Sequence, residues 1–155
     1  MRAALVEARK AMARDEVPIG AVVAIGGQIV AAAFNQPIST VDPTAHAEIG
    51  ALRVAAQAIG NYRLTGATLC VTVEPCAMCV GAMVHARIGT LIYGAAEPKT
   101  GAVRSTMNLI DDPSWNHRVT VVAGLMAEEC RALMQEFFQK KRALGKRDSG
   151  LGIGD

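Results

Sequence analysis

Aromatic side chains make up only 4% of the 155 residues: three Phe, two Tyr and one Trp. A chain so poor in rings must build its core from aliphatic side chains, and any stacking surface it offers draws on very few residues. Charge is sparse too, at 19% of residues, and the formal balance is +2. That total demands no strongly charged partner. Four cysteines are too few to staple a secreted scaffold of this length. No uninterrupted apolar run approaches the roughly 20 residues that cross a bilayer, and the opening MRAALVEARKAMARDEV carries charge where a signal peptide needs an apolar block. The expectation is a cytoplasmic protein with no membrane segment.

Apolar residues are abundant, at 51%, and Gly, Pro or charge interrupts them every few positions, as in a packed globule. The length suits one domain with one core. Residues 1–145 read as that domain, and the polar, Gly-rich 146–155 as a flexible tail.

A helix is predicted over 2–14, stopped by Pro18. IGAVVAI and QIVAAAF flank Gly26-Gly27, whose access to positive φ suits a tight hairpin turn. Residues 35–43 read as loop, and 44–59 as a helix ended by Gly60-Asn61. ATLCVTV is a continuously apolar strand of the kind covered on both faces. Pro75 is expected at the first position of a helix through 76–87, followed by the strand GTLIYGA. Residues 95–117 are mostly loop with one short helix, RVTVVAG is a fifth strand, and 127–144 is an amphipathic helix. Alternating strands and helices imply right-handed crossovers and a largely parallel sheet. The fold class is α/β: a three-layer α/β/α sandwich around a central mixed five-stranded sheet with an initial antiparallel hairpin.

Cys76 and Cys79 share one helix face at the opening turn, where free N–H groups favour thiolates. The pair alone suits a metal site, a redox couple or inert core thiols. Cys70 and Cys130, in apolar stretches, read as core. The arbiter is DPTAHAEI, which opens the preceding helix. His46 is a ligand that zinc accepts beside two thiolates, and Glu48 stands two residues on. Two helices starting at one sheet edge bring His46, Cys76, Cys79 and Glu48 together. Three protein ligands leave a fourth position for water, as catalytic zinc sites do, and Glu48 can take that water's proton.

His-x-Glu followed by Pro-Cys-x-x-Cys resembles the signature of zinc-dependent nucleoside and nucleobase deaminases. The blocks EVPIGAVV, NQPI, NYRL, EPCAMC, GAMVHARI, KTGA, NHRV and EFFQKKR are similar to those of bacterial tRNA-specific adenosine deaminases over nearly the whole chain. The resemblance implies one Zn2+ per subunit held by His46, Cys76 and Cys79, with Glu48 as the proton-shuttling catalytic residue. It implies a tRNA anticodon stem-loop as substrate, its wobble adenosine deaminated to inosine with release of ammonia, and a homodimer whose substrate groove is shared between subunits; the apolar CVGAMVHARI helix either supplies that interface or is buried in the core of one subunit. The alternative is deamination of a free base or nucleoside such as guanine or cytidine.

By the same resemblance Asn35, Pro37, Ala47 and Glu74 line the substrate pocket, the last two through their backbone. Lys99, Arg104, Phe138, Lys141 and Arg142 are candidates for RNA contact, since single-stranded loops are read by stacking and by cations on phosphate. Residues 131–155 hold six basic and three acidic groups, a local excess of +3 that serves either as a solvated helix end or as a phosphate patch. Gln36 and the tripeptide Glu97-Pro98-Lys99 depart from the familiar pattern, in loops where the family grips RNA.

Overall fold

Gly26 and Gly27 take φ angles of 58° and 78°, and the chain reverses there between β1 (Gly20–Ile25) and β2 (Gln28–Phe34). This hairpin is the first β element of the computed structural model, which describes residues 1–150, with side chains through 145. Three further strands follow, β3 (Thr68–Val73), β4 (Thr90–Ala95) and β5 (Thr120–Ala123), in the sheet order β2-β1-β3-β4-β5. β1 is antiparallel to both its neighbours, whereas β3–β4 and β4–β5 are parallel. The sheet is therefore less parallel in its pairings than expected, because one strand runs against the other four. A bulge between Val23 and Ala24 accommodates the hairpin register.

Helices α1 (Arg2–Ala13) and α5 (Ala127–Gly150) pack on one face of the sheet, where Leu5, Ala8, Ala95, Cys130 and Leu133 meet. Helices α3 (Ala47–Ile59) and α4 (Ala77–Ala86) cover the other face over the main core of Leu69, Val71, Val80, Met83 and Leu91. Between them lie a short α2 (Pro37–Thr40), in a segment expected to be loop, and a single 3-10 turn at Leu109–Asp111. Leu64, Leu69, Met83, Ile88 and Leu91 are almost wholly buried, and each contributes about 1.5–3 kcal/mol from burial. These aliphatics replace the aromatics that the chain lacks.

α5 runs past residue 144, so part of the expected tail continues the helix backbone; residues 151–155 lie outside the described residues. Among the described residues no helix is long and apolar enough to cross a membrane. β2 and β3 point the same way, so the helices that follow them start from the same edge of the sheet. Clefts beyond the carboxyl ends of strands are where open α/β sheets bind ligands.

Candidate metal and active site

Asp42 Oδ1 accepts the Thr44 N–H at 2.8 Å and the Thr44 hydroxyl at 2.7 Å. That turn holds residues 42–44 out of the helix, so α3 begins at Ala47, three residues later than predicted, with His46 as its extended N-cap at φ −76° and ψ 151°. Pro75 likewise stands one residue ahead of the N-cap and not inside α4; Cys76 is the cap, extended at φ −78° and ψ 175°. Both ligand residues are thus at helix N-termini, free to point off the end instead of along a helix face.

There they converge. Cys76 Sγ and Cys79 Sγ each lie 3.5 Å from His46 Nδ1, and the three donor atoms fall within 4.8 Å of one another. A tetrahedral zinc with ordinary bond lengths separates sulfur from nitrogen by about 3.5 Å, so both the spacing and the donor set suit that ion. All four cysteines are free thiols. The neighbouring Cys79 thiol, with help from His46, holds the Cys76 thiol down at about 4. The same contact, then burial, pushes Cys79 up, and the contact with Cys76 raises His46.

Glu48, the second residue of α3, is 4% exposed. Burial pushes its carboxyl up, while a hydrogen bond from its own backbone, the Cys79 thiol and the His46 charge pull the other way. A carboxylate lifted in this manner holds a proton more readily, as a general acid–base group must.

Asn35 is buried, and its N–H donates to Ile19 O at 2.9 Å. The next N–H, of Gln36, donates to Ala45 O at 3.0 Å, which ties this turn to the residue before His46. Pro37 opens α2. Its N-terminus is capped from far away: the buried Glu16 carboxylate accepts the Ile38 N–H (3.2 Å), the Ser39 N–H (2.7 Å) and the Ser39 hydroxyl (2.6 Å). Burial would raise the Glu16 carboxyl, and those hydrogen bonds outweigh it, so its pKa is lowered. No local pattern in the sequence signals that role. Ala47 is fully buried and first in α3, which leaves its N–H among the helix's unpaired N-terminal donors. Glu74 is buried with its carboxylate turned into the loop 97–105.

Lys99, Phe138 and Arg142 line one groove of about 400 Å³, together with Arg131 and Met134. Phe137 is buried and Phe138 is 41% exposed, their rings meeting edge to face at 5.3 Å. Lys141 departs from its expected place. Its Nζ lies 2.6 Å from Asp15 Oδ2 and 5.6 Å over the Phe137 ring, away from the groove, because one residue turns a helix by about 100°. Arg104 is exposed on the same loop as Lys99 but outside the groove lining.

The family described as MafB19-like deaminase matches residues 1–142. The chain is 47% identical over 152 residues to the tRNA-specific adenosine deaminase of Haemophilus influenzae, covering 97% of this chain and 88% of that one. The tRNA-specific adenosine deaminase of Bacillus subtilis is 44% identical over 142 residues, 92% of this chain and 88% of that one. This chain belongs to the tRNA-specific adenosine deaminase family. A solved structure from studies of A-to-I editing by tRNA:A34 deaminases at the wobble position of transfer RNA is 47% identical. It superposes with a TM-score of 0.84 over 86% of this chain and 96% of that one. A guanine deaminase from Nitrosomonas europaea shares the architecture at 25% identity and a TM-score of 0.76, over 86% of this chain and 80% of that one. The superposition bears out the α/β class and the five-stranded mixed sheet of the tRNA-specific adenosine deaminase fold.

Proposed function

We propose that this protein deaminates adenosine to inosine at the wobble position of a tRNA anticodon loop by hydrolysis, releasing ammonia, with one Zn2+ per subunit. The observation that carries this reading is the meeting of His46 Nδ1 with both thiol sulfurs at 3.5 Å, beside the buried Glu48. Zinc held by His46, Cys76 and Cys79 supplies the Lewis acidity that makes water a nucleophile near neutral pH. Glu48 would carry one proton of the attacking water to the purine ring nitrogen, and the second, from the oxygen then bonded to C6, to the amino group, which departs as ammonia as the C6 carbonyl forms. Asn35, Pro37 and the backbone at Ala47 and Glu74 hold the base, which must be flipped out of the loop to reach them. The exposed Phe138 offers the base a stacking face, and Lys99, Arg104 and Arg142 supply cations for phosphate. Lys141 contributes only by leaving its pair with Asp15, an exposed contact worth at most about 1 kcal/mol.

Ammonia release from an anticodon stem-loop, free adenosine, free guanine and cytidine distinguishes the readings in one assay. Turnover of the stem-loop alone is expected; turnover of free guanine or cytidine in its place would overturn the tRNA assignment.

The proposed enzyme is cytoplasmic and a homodimer. Support for the dimer comes from a groove of about 340 Å³ between α3 and α4, lined by Ile49, Leu52, Ala56, Tyr62, Ala82 and Ala86, with Tyr62 70% exposed. Most of the apolar CVGAMVHARI segment is spent within the subunit, since Val80, Met83, Val84 and Ile88 are buried, so the α3 side of the groove must supply much of the interface. Sedimentation velocity should show Tyr62→Glu shifted toward monomer while wild type remains a dimer; a dimer unaffected by Tyr62→Glu would exclude this surface.

A further inference from the structure

Glu74, the residue before Pro75, is 3% exposed and its backbone is fixed at the end of β3 by an N–H donated to Ala95 O at 2.8 Å. Its side chain is fully engaged. Oε2 accepts three consecutive N–H groups, from Val103 (3.1 Å), Arg104 (2.8 Å) and Ser105 (3.0 Å). Oε1 accepts the Glu97 N–H at 3.1 Å and the Ser105 hydroxyl. Successive backbone N–H groups turned to one point form a concavity built for an anion, and here a protein carboxylate fills it. The adjacent Pro75 carbonyl accepts the Ala102 N–H at 2.8 Å, so the same two residues hold the loop twice. Gly101 closes around the carboxylate: a Cβ there would come within 2.5 Å of Glu74 Oε1 and of Glu97 O.

The loop so gathered carries two exposed cations, Lys99 and Arg104, and the latter's own N–H is one of the three on Oε2. A loop of backbone turns with a buried anion at its centre has its shape set by that anion, since five donors converge on it and the buried Val103 N–H has no other acceptor. We propose that Glu74 is a positioning residue for RNA: its carboxylate is the template on which residues 97–105 fold, and it sets where Lys99 and Arg104 present charge to substrate phosphates. The proposal rests on the reading of the substrate as RNA. It gives the Glu74 side chain a task separate from its backbone's place in the pocket.

The test is binding of a fluorescent anticodon stem-loop across salt from about 50 to 200 mM, with zinc content measured for each variant. Glu74→Gln turns an amide donor toward the N–H groups and is expected to weaken binding on the order of tenfold, with the salt slope falling by about 1 to 2 as the loop cations lose their register. Lys99→Ala/Arg104→Ala should show a similar loss. Adding Glu74→Gln to that pair should then cost little more, because residues acting through one another are not additive. Gly101→Ala, which crowds the carboxylate from the loop side, should reproduce the Glu74→Gln phenotype and serves if Glu74→Gln does not fold. Penalties that multiply in the triple variant, loss of zinc in Glu74→Gln, or wild-type binding by both Glu74→Gln and Gly101→Ala would overturn the proposal. If Lys99→Ala/Arg104→Ala binds like wild type, the reading of this loop as an RNA contact fails first and takes the proposal with it. If that pair weakens binding and the Glu74 and Gly101 variants do not, the RNA reading stands and only the role of Glu74 falls.

Discussion

Replacing Glu48 by alanine is expected to slow deamination of the stem-loop by at least about 10²–10⁴-fold while the purified chain still carries its zinc. Glu48 is the second residue of α3, placed by the extended N-cap at His46, so it sits two residues along the backbone from the proposed metal-binding imidazole. Burial pushes its carboxyl upward from the ordinary range, which suits a group that must accept a proton and give it back. Glu48→Gln sharpens the test, because the amide keeps the volume and a hydrogen-bonding oxygen yet cannot carry the proton. Equal losses in Glu48→Ala and Glu48→Gln, with unchanged zinc content and unchanged thermal melting, would locate the defect in proton transfer. Near wild-type turnover by either variant would remove Glu48 from the reaction.

Cys79→Ser should lose zinc and activity together. Removing even an outer-shell partner of a metal ligand costs roughly 10–100-fold in affinity or activity, and Cys79 is one of only three protein donors here. The two thiols also foretell a pH dependence. Cys76 is held at about 4 and needs no deprotonation near neutrality, whereas Cys79 is pushed up and must give up its proton to bind metal. His46 is raised as well, so it adds a fraction of a second proton. Zinc uptake should therefore release at least one proton, and affinity should fall about tenfold for each unit that pH drops. Calorimetric titration in two buffers of different ionisation enthalpy measures that release; no proton release would contradict the protonation state assigned to Cys79.

The convergence of His46, Cys76 and Cys79 was legible because these residues lie in two short strings, each at a turn from strand into helix. His46-x-Glu48 and Pro75-Cys76-x-x-Cys79 carry both spacing and chemistry within a few residues. The two helix starts were read slightly early, since the Asp42–Thr44 turn and the extended Cys76 cap compete with helix from within sequences of helical composition. The short α2 was read as loop because its N-terminus is satisfied by Glu16, more than 20 residues away. The same holds for Glu74, whose partners lie 23 to 31 residues on. Buried carboxylates that organise distant backbone leave no periodic trace, so sequence reading gave Glu74 a place in the pocket and missed Glu16 altogether. The split between Phe137 and Phe138 followed from helix period, but the direction of Lys141 depended on Asp15, in the turn after α1 and 126 residues away.

α1 and α5 come from opposite ends of the chain and share one face of the sheet, with Leu5 and Ala8 meeting Cys130 and Leu133, and Cys130 Sγ lying 3.8 Å from Met1 Sδ. Synthesis therefore delivers the first half of this layer long before the second. Until residue 133 and the turn beyond it have cleared the ribosome, α1 has only part of its apolar surface covered and β4 presents Ala95 uncapped. All five strands, with Glu48, Cys76 and Cys79, will have been made by then, and only the face of the sheet under α5 stays uncovered. A nascent chain stalled before α5 should be protease-sensitive around α1 and β4, and α5 acts as the latch of biosynthesis.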